Sequence, residues 1–508
     1  MAVATAAVGA LALAMAVMML VSVFLRPKVD PREPPVVHPK VPFVGHLIGT
    51  ILEGPLYFKR VSEQCKQPIF TLPILNRKTY MVVDPTLAAA VQRAASTLNF
   101  DELVVQAIPF FVKLNAQAKE ILRNPADGKK PLPERAHGII NPPLAAHNIS
   151  SLSQSQLNHF SAQLNDFKHG EVDLYDFFKR AIVAATMNCM FGPQNPFALH
   201  PELIQSFWDW DDGIIGYTAF PFPHITARKA HQGFEACLQG WREYGLAGRY
   251  EQAQPFIRER YELHMGDGID AEGHARLEMG MILGFNSNAS VSTFWILNNI
   301  FSRPDLLQQI RDEVHSNAFS APGTIHAMKI KEACPLLNSV FRETLRLAAP
   351  MPSARIVLED TLLLDNYLLR KGNMVQIAGN VINSDANIWG TDAASFNPRR
   401  FVYSQFGTKT CLNGSVQDSK ANTVHPAAFR SFGGGSSLCP GRHFAQVEIT
   451  GLAAMMVMGF DLTPLDGKWD PPRNEKRFPI VVIKPKRDVR VKMERRKGWE
   501  NVKWVFNV

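Results

Sequence analysis

The segment of this chain richest in reactive groups is Ser431-Phe432-Gly433-Gly434-Gly435-Ser436-Ser437-Leu438-Cys439-Pro440-Gly441-Arg442-His443-Phe444-Ala445. It sets Cys439 between a run of glycines and residues 442–459, whose apolar spacing predicts a helix. Backbone N–H groups at a helix start favour a thiolate, and glycines let a flat group approach the chain closely. Two other chemistries compete for such a loop. A phosphate cradle needs a Gly-Lys-Ser/Thr ending or a complete GxGxxG, and neither is present. Zinc could take Cys439 and His443, but no second ligand pair has suitable spacing.

A second polar cluster interrupts an apolar run. Met279 to Ser302 spans 24 residues without a charge, yet holds Asn286, Asn288, Asn298, Asn299 and five Ser or Thr. That load is costly in lipid, so the run reads as a long helix through the core of a folded domain. Its stretch Gly284-Phe285-Asn286-Ser287-Asn288-Ala289-Ser290 is expensive in a core unless something there needs it. Further along, Glu343 and Arg346 stand three residues apart on Phe341-Arg342-Glu343-Thr344-Leu345-Arg346, so they share one helix face and can pair. Alone, that spacing is commonplace.

Together these segments resemble the cytochrome P450 superfamily. Phe432, Gly435, Cys439 and Gly441 meet its haem-loop pattern F-x-x-G-x-x-x-C-x-G. Glu343 and Arg346 supply the E-x-x-R upstream, and Phe396-Asn397-Pro398-Arg399-Arg400-Phe401 is similar to the F-x-P-x-R-F segment. The resemblance implies a P450 fold, mainly α with small β-sheets, and Cys439 as the axial thiolate ligand of haem b iron. Thiolate donation pushes electron density toward bound dioxygen and favours O–O cleavage. It also implies that Glu343, Arg346 and Arg400 form an ion-pair cluster behind the haem-side loop. Buried charge clusters are not automatically stabilising, so the expected role is folding and haem retention. Arg355, in Pro350-Met351-Pro352-Ser353-Ala354-Arg355, resembles the arginine that pairs a haem propionate; the plain alternative is an arginine opening a strand.

The chain departs from the family in three places. Many members carry Arg or His two residues before the cysteine, where this chain has Ser437. The W-x-x-x-R of an earlier helix is missing around Pro133 to Leu144. In the long helix the usual acid-alcohol pair becomes Ser287 and Asn288. Asn at that place resembles the branch that contains prostacyclin synthase and the sterol 7-alpha- and 12-alpha-hydroxylases, which holds both an isomerase and monooxygenases. An amide can hydrogen-bond water but cannot ionise to relay a proton. The expectation is that Asn288 positions a proton-supplying water, against the alternative of an amide bonded to its own helix backbone.

The elements that must position these groups are also legible. Helical spacing dominates residues 85–350, and alternating runs at 69–83, 353–378 and 478–493 predict strands. Met1 to Leu25 holds 22 apolar residues and no charge, enough for a helix across a bilayer core. It lacks the basic start and short apolar core of a cleaved signal, and Arg26, Lys28 and Arg32 follow it, placing the rest on the cytosolic side. Prolines crowd the next stretch to Gly45, an extended semi-rigid spacer. The expected organisation is an anchor at 1–25, a linker at 26–45 and a haem-binding catalytic domain at 46–508.

Across 508 residues the net charge is +8, with 46% hydrophobic and 20% charged residues, which excludes general disorder. Nine Lys or Arg against three acids lie between Lys484 and Val508, so the excess is a property of the tail. Those cations alternate with Val489, Val491, Met493, Trp499, Trp504 and Phe506, which argues against a nucleic-acid arm. The six cysteines form no C-x-x-C pair. Phe207, Trp208, Trp210, Tyr217 and Phe220 read as core packing or as the roof of a substrate channel.

The resemblance therefore implies a single-pass endoplasmic-reticulum monooxygenase of fungal secondary metabolism. It would take a lipophilic terpenoid, steroid or polyketide-like substrate. Its electrons would come from NADPH, not bound directly, through NADPH-cytochrome P450 reductase and optionally cytochrome b5. A haem-thiolate isomerase or dehydratase working without a reductase, and a non-catalytic haem-binding protein, stand as alternatives.

Overall fold

The computed structural model describes residues 30–39, 41, 44–123, 128–349, 352–402, 424–475 and 482–508. The anchor expected at Met1–Leu25 lies outside these residues. Among the described residues no helix is long and apolar enough to cross a membrane.

The fold is mainly helical with small sheets. The largest sheet among the described residues has five strands, β1 (Ile69–Ile74), β2 (Arg77–Val82), β3 (Leu98–Asn99), β4 (Ser353–Val357) and β5 (Met374–Ile377). Its order is β1-β2-β5-β4-β3, so chain segments almost 300 residues apart are joined edge to edge. The β5–β2 pair is parallel and the other pairs are antiparallel. The alternating run at 69–83 thus folds as a hairpin, and Leu75 turns it at φ 55°.

Eight helices carry the argument: α1 (Pro85–Arg93), α2 (Leu132–Ile140), α3 (Leu203–Ala219), α4 (Arg228–Leu246), α5 (Pro255–Gly266), α6 (Ala271–Phe301), α7 (Pro335–Ala348) and α8 (Arg442–Gly459). The Asp270 carboxylate caps α6 by accepting from the Gly273 N–H. The last two turns of α6 are buried all round, and their amides brace neighbours: Asn298 donates to Asp470 at 2.7 Å and Asn299 to Thr344 of α7 at 3.0 Å. Those partners account for Asn298 and Asn299, whereas Ser290 Oγ and Thr293 Oγ1 are buried without a partner among the described residues. α8 is buried along nearly its whole length and packs on α6 and α7.

The strand expected at 478–493 is a correction. Residues 476–481 lie outside the described residues, and the strand begins only at Arg490 and runs to Arg495. Pro485 removes a ladder donor there. The Asp488 carboxylate then takes the N–H groups of Tyr175, Asp176 and Val489, which holds the chain in a turn. The tail closes as a second strand, Val505–Asn507, paired with Thr324–His326. Trp504 beside it is fully buried.

Of the aromatic cluster, Phe207, Trp208, Trp210 and Tyr217 are core residues of α3, whereas Phe220 and Phe222 after it are exposed.

Candidate active site

Cys439 reaches the protein interior because the loop before α8 is forced into a tight path. Gly433 and Gly435 both hold positive φ, at 75° and 61°. A Cβ at Gly433 would stand 2.5 Å from the Ser437 carbonyl, and one at Gly434 would run into the Gln92 amide of α1. A 3-10 turn over Gly435–Ser437 follows, and the Cys439 N–H closes the loop on the Phe432 carbonyl at 2.9 Å. Phe432 packs near Phe341 of α7, ring centroids 6.3 Å apart. Gly441 is the N-cap of α8, and its N–H and the Arg442 charge oppose the effect of burial, which pushes the Cys439 thiol up.

One cavity of about 940 Å³, mouth included, takes in Cys439, Phe432 and Gly441 on one side and Gly284, Phe285, Asn288 and Ala289 of α6 on another. Most of the remaining wall is apolar, from Leu144, Leu345, Phe444, Ile449 and Val482. Asn288 and Ser287 part company here. The Asn288 amide lines the cavity and has no hydrogen-bond partner among the described residues. Its neighbour Asn286 is the one that bonds its own helix, donating to Ile282 O at 2.9 Å. Ser287 turns away and donates to Asp211 of α3 at 3.1 Å. Asp211 is itself an ion-pair partner of Lys484, which also holds Asp212 at 2.9 Å.

Glu343, Arg346 and Arg400 meet as one cluster. Arg346 grips both Glu343 oxygens at 2.7 and 2.8 Å, and Arg400 Nε donates to Glu343 Oε1 at 3.0 Å. Arg346 also donates to the carbonyls of Asn383 and Ala393, and Arg400 to those of Trp389 and Asp392. The Asn397 N–H completes the carboxylate's partners at 3.0 Å. The cluster therefore ties α7 to the irregular segment 383–400 by fixed backbone acceptors. Asp392, which pairs with Arg400 at 2.8 Å, was not signalled by any motif.

Arg355 is the middle residue of strand β4, not its start, and is completely buried. It donates to Ser353 Oγ at 2.8 Å, Ser437 Oγ at 2.8 Å and the Gly434 carbonyl at 3.0 Å, while its Nε has no partner. Ser437, standing where many relatives carry a base, thus orients Arg355. The only arginine of α2, Arg135, is committed to Asp267 on the far side. Glu448 of α8 also lines the cavity; it accepts from Gln156 at 2.8 Å, and burial pushes its carboxyl up to about 8. Sequence reading missed it, although it lies on the helix that directly follows the cysteine loop.

Residues 278–492 match the cytochrome P450 family model, a span that takes in most of α6, the Glu343–Arg346–Arg400 cluster and the cysteine loop. The chain is 29% identical over 497 residues to the cytochrome P450 monooxygenase nodJ of Hypoxylon pulicicidum, covering 95% of this chain and 94% of that one. It is 29% identical over 517 residues to a cytochrome P450 monooxygenase of Gibberella zeae, covering 97% and 95%. It is also 23% identical over 504 residues to the cholesterol 7-alpha-monooxygenase of Cricetulus griseus, covering 92% and 95%. Along nearly its whole length the chain is thus similar to cytochrome P450 monooxygenases, and these likenesses support a haem-iron enzyme whose electrons come from a reductase.

Proposed function

We propose that this chain is a cytochrome P450 monooxygenase that oxidises a lipophilic skeleton of the terpenoid, steroid or polyketide kind in fungal secondary metabolism, with Cys439 as the ligand to haem iron. The residues around the cavity fit the group. The glycine loop packs tightly on Gln92 and so presents Cys439 to the cavity, the Arg355 guanidinium has a donor to spare for a carboxylate, and the one sulfur among the described residues of the cavity wall belongs to Cys439. A bound iron would deprotonate that thiol outright, against the upward push of burial. When bound, thiolate-ligated haem supplies activation of dioxygen, with two electrons from the reductase and two protons from the protein side.

The chain's own residues orient and exclude. Glu343, Arg346 and Arg400 hold the loop-bearing segment, Phe432 and Gly441 shape the cofactor face while Gly435 turns the loop against Gln92, and the apolar wall keeps bulk water from the reacting carbon. Asn288 holds a water at its amide, and that water delivers protons to the oxygen side of the cavity. Ser287 acts from behind, through Asp211.

The substrate reaches this cavity from a membrane. Supporting that are the uncharged run Met1–Leu25, the proline-rich linker, and a catalytic domain over 46–508 that exposes Phe220, Phe222 and Ile225 together. The expected place is the endoplasmic reticulum, single-pass, with cytochrome b5 as an auxiliary donor. The observation that carries the proposal is that Cys439 and Asn288 line one cavity. Its test is the reduced carbon monoxide spectrum of the full-length protein and of Cys439→Ala. The wild type should give the thiolate signature and the variant should lose it; a signature that persists without Cys439 would overturn the ligand assignment. Products from microsomes fed candidate skeletons with NADPH and reductase then identify the substrate class.

A further inference from the structure

Buried guanidinium groups normally face a carboxylate, and here Arg346, Arg400 and Arg260 do so. Two do not. Arg355 and Arg430 are 0% and 1% exposed, and neither forms an ion pair among the described residues. Each has an Nε with no partner at all. Arg355 is held by two serine hydroxyls and the Gly434 carbonyl, all neutral acceptors. Arg430 meets only the Gln92 side chain, whose amide oxygen accepts from it across the same glycine loop. The two charges are close enough to repel, and burial with that repulsion brings Arg430 down to about 10.

Two buried, mutually repelling cations beside a glycine loop form a receptor for two negative charges. Haem is a flat macrocycle bearing two carboxylates, which matches the receptor in charge and in number. The geometry points to Arg430 as the second carboxylate-binding arm of the haem site, working with Arg355 in place of the base absent at Ser437. Gln92 of α1 is its positioning residue. The inference rests on the haem-thiolate reading above but adds a residue that the family pattern does not mark. Arg430 stands two positions before Phe432, outside the matched motif residues.

The test is the rate of haem transfer from full-length holoprotein to excess apomyoglobin, for wild type, Arg430→Gln and Arg430→Lys. Each is produced in a host fed either haem or haem dimethyl ester, which lacks the two negative charges. With haem, Arg430→Gln should lose cofactor on the order of tenfold faster or more, and Arg430→Lys should stay within a few-fold of wild type. With the diester the three proteins should differ little. Arg430→Gln releasing haem at the wild-type rate, or accelerating equally with both cofactors, would overturn the assignment. If Arg430→Gln yields no holoprotein, Arg430→Lys decides: near-wild-type retention confined to haem upholds the charge role, and equal loss of both cofactors refutes it. The reduced carbon monoxide spectrum of each variant should keep the thiolate signature, so failure of the Cys439 assignment is read separately.

Discussion

Asn288 and Glu343 show how differently two buried polar residues can be used. Asn288 has an amide with nothing to bond among the described residues, and it faces the cavity. Asn288→Ala should therefore leave the thiolate spectrum intact while product formed per NADPH consumed falls roughly tenfold or more, as expected when proton delivery fails. Full product yield with tight coupling would remove Asn288 from the reaction. Glu343 is the reverse case: 0% exposed, with every lone pair used by Arg346, Arg400 and the Asn397 N–H. Glu343→Gln strands the Arg346 guanidinium and leaves Arg400 only Asp392, and the cost should be about 3–5 kcal/mol. A lowered denaturation midpoint together with poor haem retention is the expected outcome. The cysteine loop and the Glu343–Arg346 pair were legible because each is a contiguous signal. Arg430 was not, since only the tertiary approach of Arg355 and Gln92 reveals that it lacks an acid.

Between α5 and α6 lies a sealed cluster remote from the cysteine. His264 Nδ1 contacts His274 Nδ1 at 2.9 Å, His274 Nε2 contacts the Tyr250 hydroxyl at 2.8 Å, and Glu278 pairs with Arg260 and His274. Burial, with Arg260 and His274 close by, holds His264 well below the usual imidazole range. Above pH 6.5 this ring is neutral whether the chain is folded or not. Below it the unfolded chain takes up a proton that the folded site resists, so stability falls as pH drops, by up to about 1.4 kcal/mol per pH unit. His264→Gln should flatten that slope in urea titrations run between pH 7 and 5; an unchanged slope would assign it elsewhere. At this scale the sequence was readable in proportion to locality. The periodicity of 442–459 marked α8 to the residue, because one continuous helix owns that pattern. The run at 478–493 misled, because Pro485 and the Asp488 turn override an alternation that looks like a strand.

The basic tail has a structural use. Lys484, Arg487, Arg490 and Lys492 face carboxylates, Arg495 donates to four backbone carbonyls, and Arg496 lies over Trp499. Trp504 then seats on Gly459 at the end of α8, where a Cβ would stand 2.8 Å from the indole nitrogen. Trp504→Ala should cost about 3–5 kcal/mol, seen as a lower midpoint at unchanged m-value. A midpoint within error of wild type would mean that the tail contributes nothing to the core. The charge excess was visible in the sequence, but its internal use was not, since each partner comes from a distant segment. The same holds for the contact made by Ser287. Asp211 belongs to α3, Ser287 to α6, and Lys484 follows Val482 of the cavity wall by two residues. A molecule that bound better with Ser287 released from Asp211 would, by reciprocity, weaken that contact by the same factor.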